Sequence, residues 1–173
     1  PYTAGHQKRV TQLAVVIGEA LGLTPATVEG LRLASLVHDI GMLSVPAEIL
    51  TKPSRLTEIE FELVKVHPLA SHEMLAPIGF EQPVADIVAQ HHERLDGSGY
   101  PAGLSGEQIM PEALVLAVAD VVEAMVSHRP YRPALGIEAA LGEVRDGAGT
   151  RYEGDAVAAC ERAFETGFAF DPA

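Results

Sequence analysis

The chain has 173 residues, 47% of them hydrophobic, enough for one domain with a buried core and too few for two comfortable ones. Its 24 acidic residues outnumber 12 basic ones, for a formal charge of -12; such a surface repels duplex nucleic acid unless a basic patch or bound cation reverses the field. No apolar stretch approaches the roughly 20 residues of a membrane helix, so direct membrane insertion is not expected.

The sequence begins at Pro1, with no signal-peptide core, and enters a periodic pattern at once, which reads as a fragment of a longer protein. From Gly5 to Leu21 the residues Val10, Leu13, Ala14, Ile17 and Leu21 form one apolar stripe, with Gly22 as the stop. Thr24-Pro25 reads as an N-cap and N1 proline, opening a second helix that runs to His38-Asp39, with Gly41 ending it. Residues 42–56 hold two prolines and read as an ordered connection with one short turn. Thr57 and Glu60 fit a capping box for a helix ending near His67. Pro68 opens a further turn or helix toward Leu75 and Gly79, and Pro83–His92 forms the next, with Val84, Ile87 and Val88 inward.

Residues 93–111 are rich in glycine and form a long loop, and long ordered loops usually serve binding or catalysis. Gly97, Gly99 and Gly103 are expected to relieve φ constraints there. After the loop, Glu112–Val126 is a strongly apolar helix interrupted by Asp120, and helices over 136–146 and 154–166 complete the set. No stretch alternates as a strand, so the expected fold class is all-α. The FAF run at 168–170 marks either an exposed contact or a core tail. Cys160 permits no internal disulfide and suits a reducing, cytoplasmic setting.

The polar residues at odds with this apolar frame are His6, His38, Asp39, His67, His91, His92 and Asp120. Adjacent residues on a helix point about 100° apart, so the pair at 91–92 is a poor filling for one apolar face. An unpartnered carboxylate at Asp120 would cost several kcal/mol or shift its pKa upward. Taken singly, His6 or His67 fits a cap or surface position, and Asp120 could answer a structural arginine such as Arg9 or Arg32. Together the five imidazoles and two carboxylates suffice for two divalent ions. Mixed nitrogen and oxygen donors suit iron, manganese, zinc, cobalt or nickel better than calcium. Asp39 is the choice for a bridging carboxylate. Two ions about 3.5–4 Å apart would activate a bridging water and stabilise a transferring phosphoryl group, which predicts phosphoester hydrolysis. Lys52, Arg55, Arg129 and Arg132 are the basic residues placed to meet an anionic ligand, unless they merely solvate loops. His72 reads as solvated, His128 as surface or substrate edge, and Tyr100 either packs the loop or meets a base.

His38-Asp39 with the distant Asp120 resembles the HD superfamily of metal-dependent phosphohydrolases. With HHERLDGSGYP at 91–101 and RPYR at 129–132, the chain is similar to the HD-GYP domains of bacterial cyclic di-GMP phosphodiesterases. The resemblance spans nearly the whole chain, through GHQKRV at 5–10, HDIG at 38–41, VPAEILTKP at 45–53, VKVHP at 64–68 and ADVVEAM at 119–125. It implies a single domain over 1–173, a compact bundle of about seven helices, and a metal centre on His6, His38, Asp39, His67, His91, His92 and Asp120. It implies iron or manganese as the ions and hydrolysis of cyclic di-GMP to linear pGpG, in many members onward to GMP. It further implies an upstream receiver or sensory domain, and helical signalling domains of this sort often form homodimers.

Two departures bear on activity. The family usually continues HDIGK, whereas Met42 stands here, removing an ammonium from the neighbourhood of the ligand phosphate; Lys52 and Arg132 are the candidates to compensate. Members with a third metal carry a glutamate four residues before the first histidine, where this chain has Tyr2, which favours two metals over three. In the expected mechanism Asp39, His38 and Asp120 carry catalysis, holding two ions whose bridging water attacks one phosphodiester in line. The competing readings are a cyclic-dinucleotide signalling module with weak or no turnover, and a phosphohydrolase for another nucleotide.

Overall fold

The computed structural model describes residues 2–127 and 134–171, with the backbone alone for residues 2–4. Among the described residues nine α-helices follow in order: α1 (Tyr2–Ala20), α2 (Pro25–Val37), α3 (Ala47–Leu50), α4 (Glu58–Val64), α5 (His67–Leu75), α6 (Val84–Gln90), α7 (Pro111–Val126), α8 (Ile137–Asp146) and α9 (Gly154–Glu165). Among the described residues there is no strand, only isolated bridges between Asp96 and Ser105 and between Ala148 and Tyr152. The all-α expectation holds. The count exceeds seven because α3 is a single turn and because the chain breaks between α4 and α5.

The centre is α7, apolar almost all round and therefore buried rather than amphipathic: Ala113 to Asp120, then Val122 and Glu123, are all buried. It packs against α1, α2, α6, α8 and α9. Val10, Leu13, Ala14 and Ile17 on α1 meet it in one core with Leu31, Ala34, Ile87 and Val88. Phe164, Phe168 and Phe170 pack on one another and against this core, so the C-terminal aromatic run is a core tail.

The sequence signals for helix starts operate as chemistry predicts. Thr24 Oγ1 accepts from the Thr27 amide at 3.2 Å. The Thr57 capping box closes in both directions, with Glu60 accepting from the Thr57 amide at 2.7 Å and Thr57 from the Glu60 amide at 3.3 Å. Two boundaries differ from expectation. His67 opens α5 instead of ending α4, because Pro68 fits the first turn of a new helix. His6 lies inside α1, which begins at Tyr2, and not at its edge.

The turn after α2 is pinned to α5. Ser71 Oγ accepts from the Gly41 amide at 2.8 Å and donates to the His38 carbonyl at 3.2 Å. Gly41 lies so close to α5 that a Cβ there would overlap the His67 carbonyl and stand 2.6 Å from the Ser71 nitrogen. Both obstacles are backbone and cannot rotate aside. Gly41→Ala is therefore expected to cost about 2–3 kcal/mol, in line with overpacking at a close backbone contact, read as a lowered urea midpoint with unchanged m-value; an unchanged midpoint would refute the contact.

Candidate metal centre

Three histidines share one local device. The Nδ1 atoms of His38, His67 and His91 hydrogen-bond to the carbonyls of Ser35, Val64 and Val88, at 2.7, 2.8 and 2.6 Å. Each of those carbonyls lies three residues back, in the last turn of a helix whose final C=O groups have no intrahelical donor. The ring therefore donates from Nδ1, which fixes the tautomer and leaves the Nε2 lone pair pointing onward. His38, His67 and His91 are each 0% exposed, and their Nε2 atoms are buried without a hydrogen-bond partner. A buried acceptor left so costs about 1–3 kcal/mol, and three of them together are a sizeable part of a net stability of about 5–15 kcal/mol. A cation shared by these atoms removes that cost.

The carboxylates face the same point. Asp39 Oδ2 lies 3.4 Å from His38 Nε2 and 3.8 Å from His6 Nε2, while its Oδ1 lies 3.5 Å from His67 Nε2. Its two oxygens thus address different histidines, the disposition expected of a bridging group. Asp120 Oδ1 is 3.3 Å from His6 Nε2 and 3.9 Å from His38 Nε2. The donor atoms group as His6, His38 and Asp120; as His67, His91 and His92; and as His38, Asp39 and His91, each set within 4.8 Å of itself. All seven residues singled out in the sequence are gathered here, in a donor set that can hold metal.

Electrostatics sort these groups. Burial lowers the pKa of His91 and His92 well below the ordinary histidine value, with neighbouring imidazoles adding to it, and lowers His67 despite Asp39 beside it. These rings stay neutral, as ligands must be. Burial also works against an imidazolium at His6, but Asp120 and Glu123 outweigh it and lift His6 to about 10, so a cation at its Nε2 must displace a proton. For Asp120, burial raises the carboxyl pKa, yet His6 and His38 hold it well below the carboxylate range. Asp120 is therefore not an unpartnered carboxylate, and its partner is not an arginine: Arg9 pairs with Glu123 at 2.6 Å and Arg32 with the exposed Glu29 at 2.6 Å.

Two residues that the sequence reading passed over support the centre. Glu123, 0% exposed and one helical turn beyond Asp120, hydrogen-bonds to His6 Nδ1. Glu93, 1% exposed, accepts from the amides of Ala102 at 2.8 Å and Leu104 at 2.9 Å. It ties the far end of the glycine loop beneath the His91-His92 pair. The available signals were a third acidic residue in the most apolar helix and a carboxylate directly after paired histidines. Glycine roles also divide: Gly97 and Gly103 have φ of 78° and 67°, whereas Gly99 is required by close approach, a Cβ there standing 2.5 Å from the Arg94 nitrogen.

A cavity of about 410 Å³ opens over the carboxylates, lined in part by Met42, Lys52, Arg55, Phe61 and Tyr100. Lys52 Nζ is already held by Glu60 at 2.6 Å, so an anionic ligand must compete with that carboxylate. The Tyr100 ring packs on His92 at 4.8 Å between centroids, and Phe61 meets its edge at 6.3 Å. Burial raises the Tyr100 phenol, which stays protonated and able to donate. His72 is half-buried and pairs with Asp86 at 3.1 Å, away from the centre. His128, Arg129 and Arg132 lie outside the described residues, as does the side chain of Tyr2. Among the described residues, no helix is long and apolar enough to cross a membrane.

Comparison with known proteins agrees with this geometry. The model of the HD domain family matches residues 1–156. The chain is 43% identical over 141 residues to the cyclic di-GMP phosphodiesterase response regulator RpfG of Xanthomonas campestris pv. campestris, covering 80% of this chain and 37% of that protein. It is 39% identical over 159 residues to a cyclic di-GMP phosphodiesterase of Thermotoga maritima, covering 91% and 43%. It is 36% identical over 163 residues to 3'3'-cGAMP-specific phosphodiesterase 3 of Vibrio cholerae, covering 94% and 35%. The chain thus spans well under half the length of each of these relatives. An HDG"Y"P protein of Bdellovibrio bacteriovorus shares the fold with a TM-score of 0.78 at 21% identity, covering 94% of this chain and 52% of that one.

Glu93→Ala removes both loop acceptors without touching a metal donor. Amides of Ala102 and Leu104 are expected to exchange hydrogen at least about tenfold faster, the effect of losing roughly 1.4 kcal/mol of local stability. Unchanged protection there would rule out Glu93 as the loop anchor.

Proposed function

The chain belongs to the HD domain family, and from that premise we propose that residues 1–173 form one metal-dependent phosphodiesterase domain acting on cyclic di-GMP. The observation that carries the reading is the set of three buried Nε2 atoms without partners, converging on an aspartate whose two oxygens face opposite ways. The names of relatives support the substrate class: two act on cyclic di-GMP and one on 3'3'-cGAMP. RpfG is also a response regulator, which supports a place for this domain within a longer signalling protein.

The donor set fits two divalent ions, with His6, His38 and Asp120 on one side, His67, His91 and His92 on the other, and Asp39 between them. Imidazole-rich sets with two carboxylates suit iron or manganese, with zinc, cobalt or nickel compatible. Such ions, when bound, stabilise charge on the transferring phosphoryl group and lower the pKa of an attacking water. The protein's own residues do the remaining work. Asp39, His38 and Asp120 would hold the ions at the cavity floor, against which the reacting phosphate lies. Lys52 and Arg55 meet the non-bridging oxygens, offsetting the field of a chain of charge -12. Tyr100 keeps its proton and can donate to a phosphate or base. Met42 lines the cavity where relatives of the HD-GYP type usually place a lysine, so phosphate is held by fewer cations than usual.

The test is hydrolysis by anaerobically manganese- or iron-loaded protein, with cyclic di-GMP and 3'3'-cGAMP compared and pGpG and GMP separated by chromatography. Asp39→Ala is expected to lower kcat by at least 10³-fold, about 4 kcal/mol of transition-state stabilisation. Equal rates in the variant and the parent protein would eliminate the proposed role of Asp39. Stoichiometric binding of cyclic di-GMP with no product would instead establish the signalling-module alternative that Met42 motivates.

A further inference from the structure

Glu123 differs from Glu93, the other buried carboxylate that supports the centre, in that its partners are side chains and one of them is the candidate donor His6. Glu123 is 0% exposed, and both of its oxygens are engaged. Oε2 meets His6 Nδ1, while Oε1 accepts from Arg9 Nε at 2.6 Å and from the Ser127 hydroxyl. Arg9 Nη2 in turn donates to Ser127 Oγ at 3.2 Å. Arg9 stands three residues after His6 on α1, and Glu123 three after Asp120 on α7. Positions three apart on a helix are neighbours on one face, so the two helices meet through a metal donor and its brace on each side.

The contrast lies in what backs each imidazole. His38, His67 and His91 are backed by neutral backbone carbonyls, whereas His6 is backed by a carboxylate held in place by an arginine. A carboxylate behind a ligating imidazole fixes its ring and raises its donor strength. The donor group of His6 also includes Asp120, while the group of His67, His91 and His92 is all imidazole.

Resting on the metal reading above, the geometry points to Glu123 as a positioning residue for His6, braced by Arg9 and Ser127, that makes the two cation positions inequivalent. The position formed by His6, His38 and Asp120 fills first and holds the ion more tightly. The position formed by His67, His91 and His92, with no carboxylate beyond the shared Asp39, fills second and exchanges more readily. Glu123 touches neither substrate nor ion in this arrangement; it acts through His6.

Titration of metal-free parent protein with manganese, followed by calorimetry, is expected to show two steps. Glu123→Gln should weaken the first by about 10–100-fold, the range for losing such a partner of a metal ligand, and leave the second within about twofold. With one equivalent of cobalt(II), the visible absorption band of the variant should shift, because the donor strength of a bound imidazole has changed. Glu123→Asp, which keeps the charge, should recover part of the lost affinity. A structural role alone would lower thermal stability and weaken both steps together without moving the cobalt band, and that result overturns the inference, as does an unchanged first step. Should Glu123→Gln not fold, Arg9→Gln is read by the same titration, with selective weakening of the first step supporting the inference and uniform or no weakening overturning it. Parent protein that binds no divalent ion overturns the metal reading itself, which separates the two failures.

Discussion

The structure is organised around imidazoles whose inner nitrogen is satisfied by their own helix and whose outer nitrogen is not. The final carbonyls of a helix need donors, and a histidine three residues further on supplies one from Nδ1. At His38, His67 and His91 this local bond aims a lone pair into the interior, away from water. Three such atoms in one place would be a net loss for a domain of ordinary marginal stability. The burial makes sense as a cation site, where lost solvent is replaced by coordination.

Around that centre the supporting parts are rigid where they must be and adjustable where a ligand enters. Gly41 and Ser71 lock the turn carrying His38 and Asp39 onto α5, and Glu93 locks the loop behind His91 and His92. On the cavity side, α4 has no buried residue, and Lys52 is held by Glu60 in a half-buried pair rather than packed in the core. A precise donor scaffold beneath a less constrained wall suits the proposed cyclic-dinucleotide ligand, since positional error at the donors costs more than error at the rim.

Membership of the HD domain family and the likeness to cyclic-dinucleotide phosphodiesterases bear on these two regions differently. The donors sit together, whereas Met42 lines the cavity beside them. On the proposed reading, the parts that would hold cations, on α1, α7 and the histidine turns, are separate from most of the cavity wall over residues 42–61.

The sequence by itself determined the helical class and most helix starts, and it singled out the seven residues that the fold gathers at the candidate centre. Capping at Thr24 and Thr57 is chemistry within one turn, and a polar residue in an apolar helix is conspicuous in one dimension. It did not reveal that Arg9 answers Glu123 rather than Asp120, that His67 begins a helix, or that Gly99 is fixed by a neighbouring backbone instead of by its φ. Glu93 and Glu123 were visible as letters but carried no local sign of their distant partners, Ala102, Leu104, Arg9 and His6, which lie 9 to 117 residues away. Only the tertiary structure decides such pairings, because a carboxylate binds whichever donor the fold brings to it, and that choice depends on how α1 crosses α7 and on where the glycine loop returns.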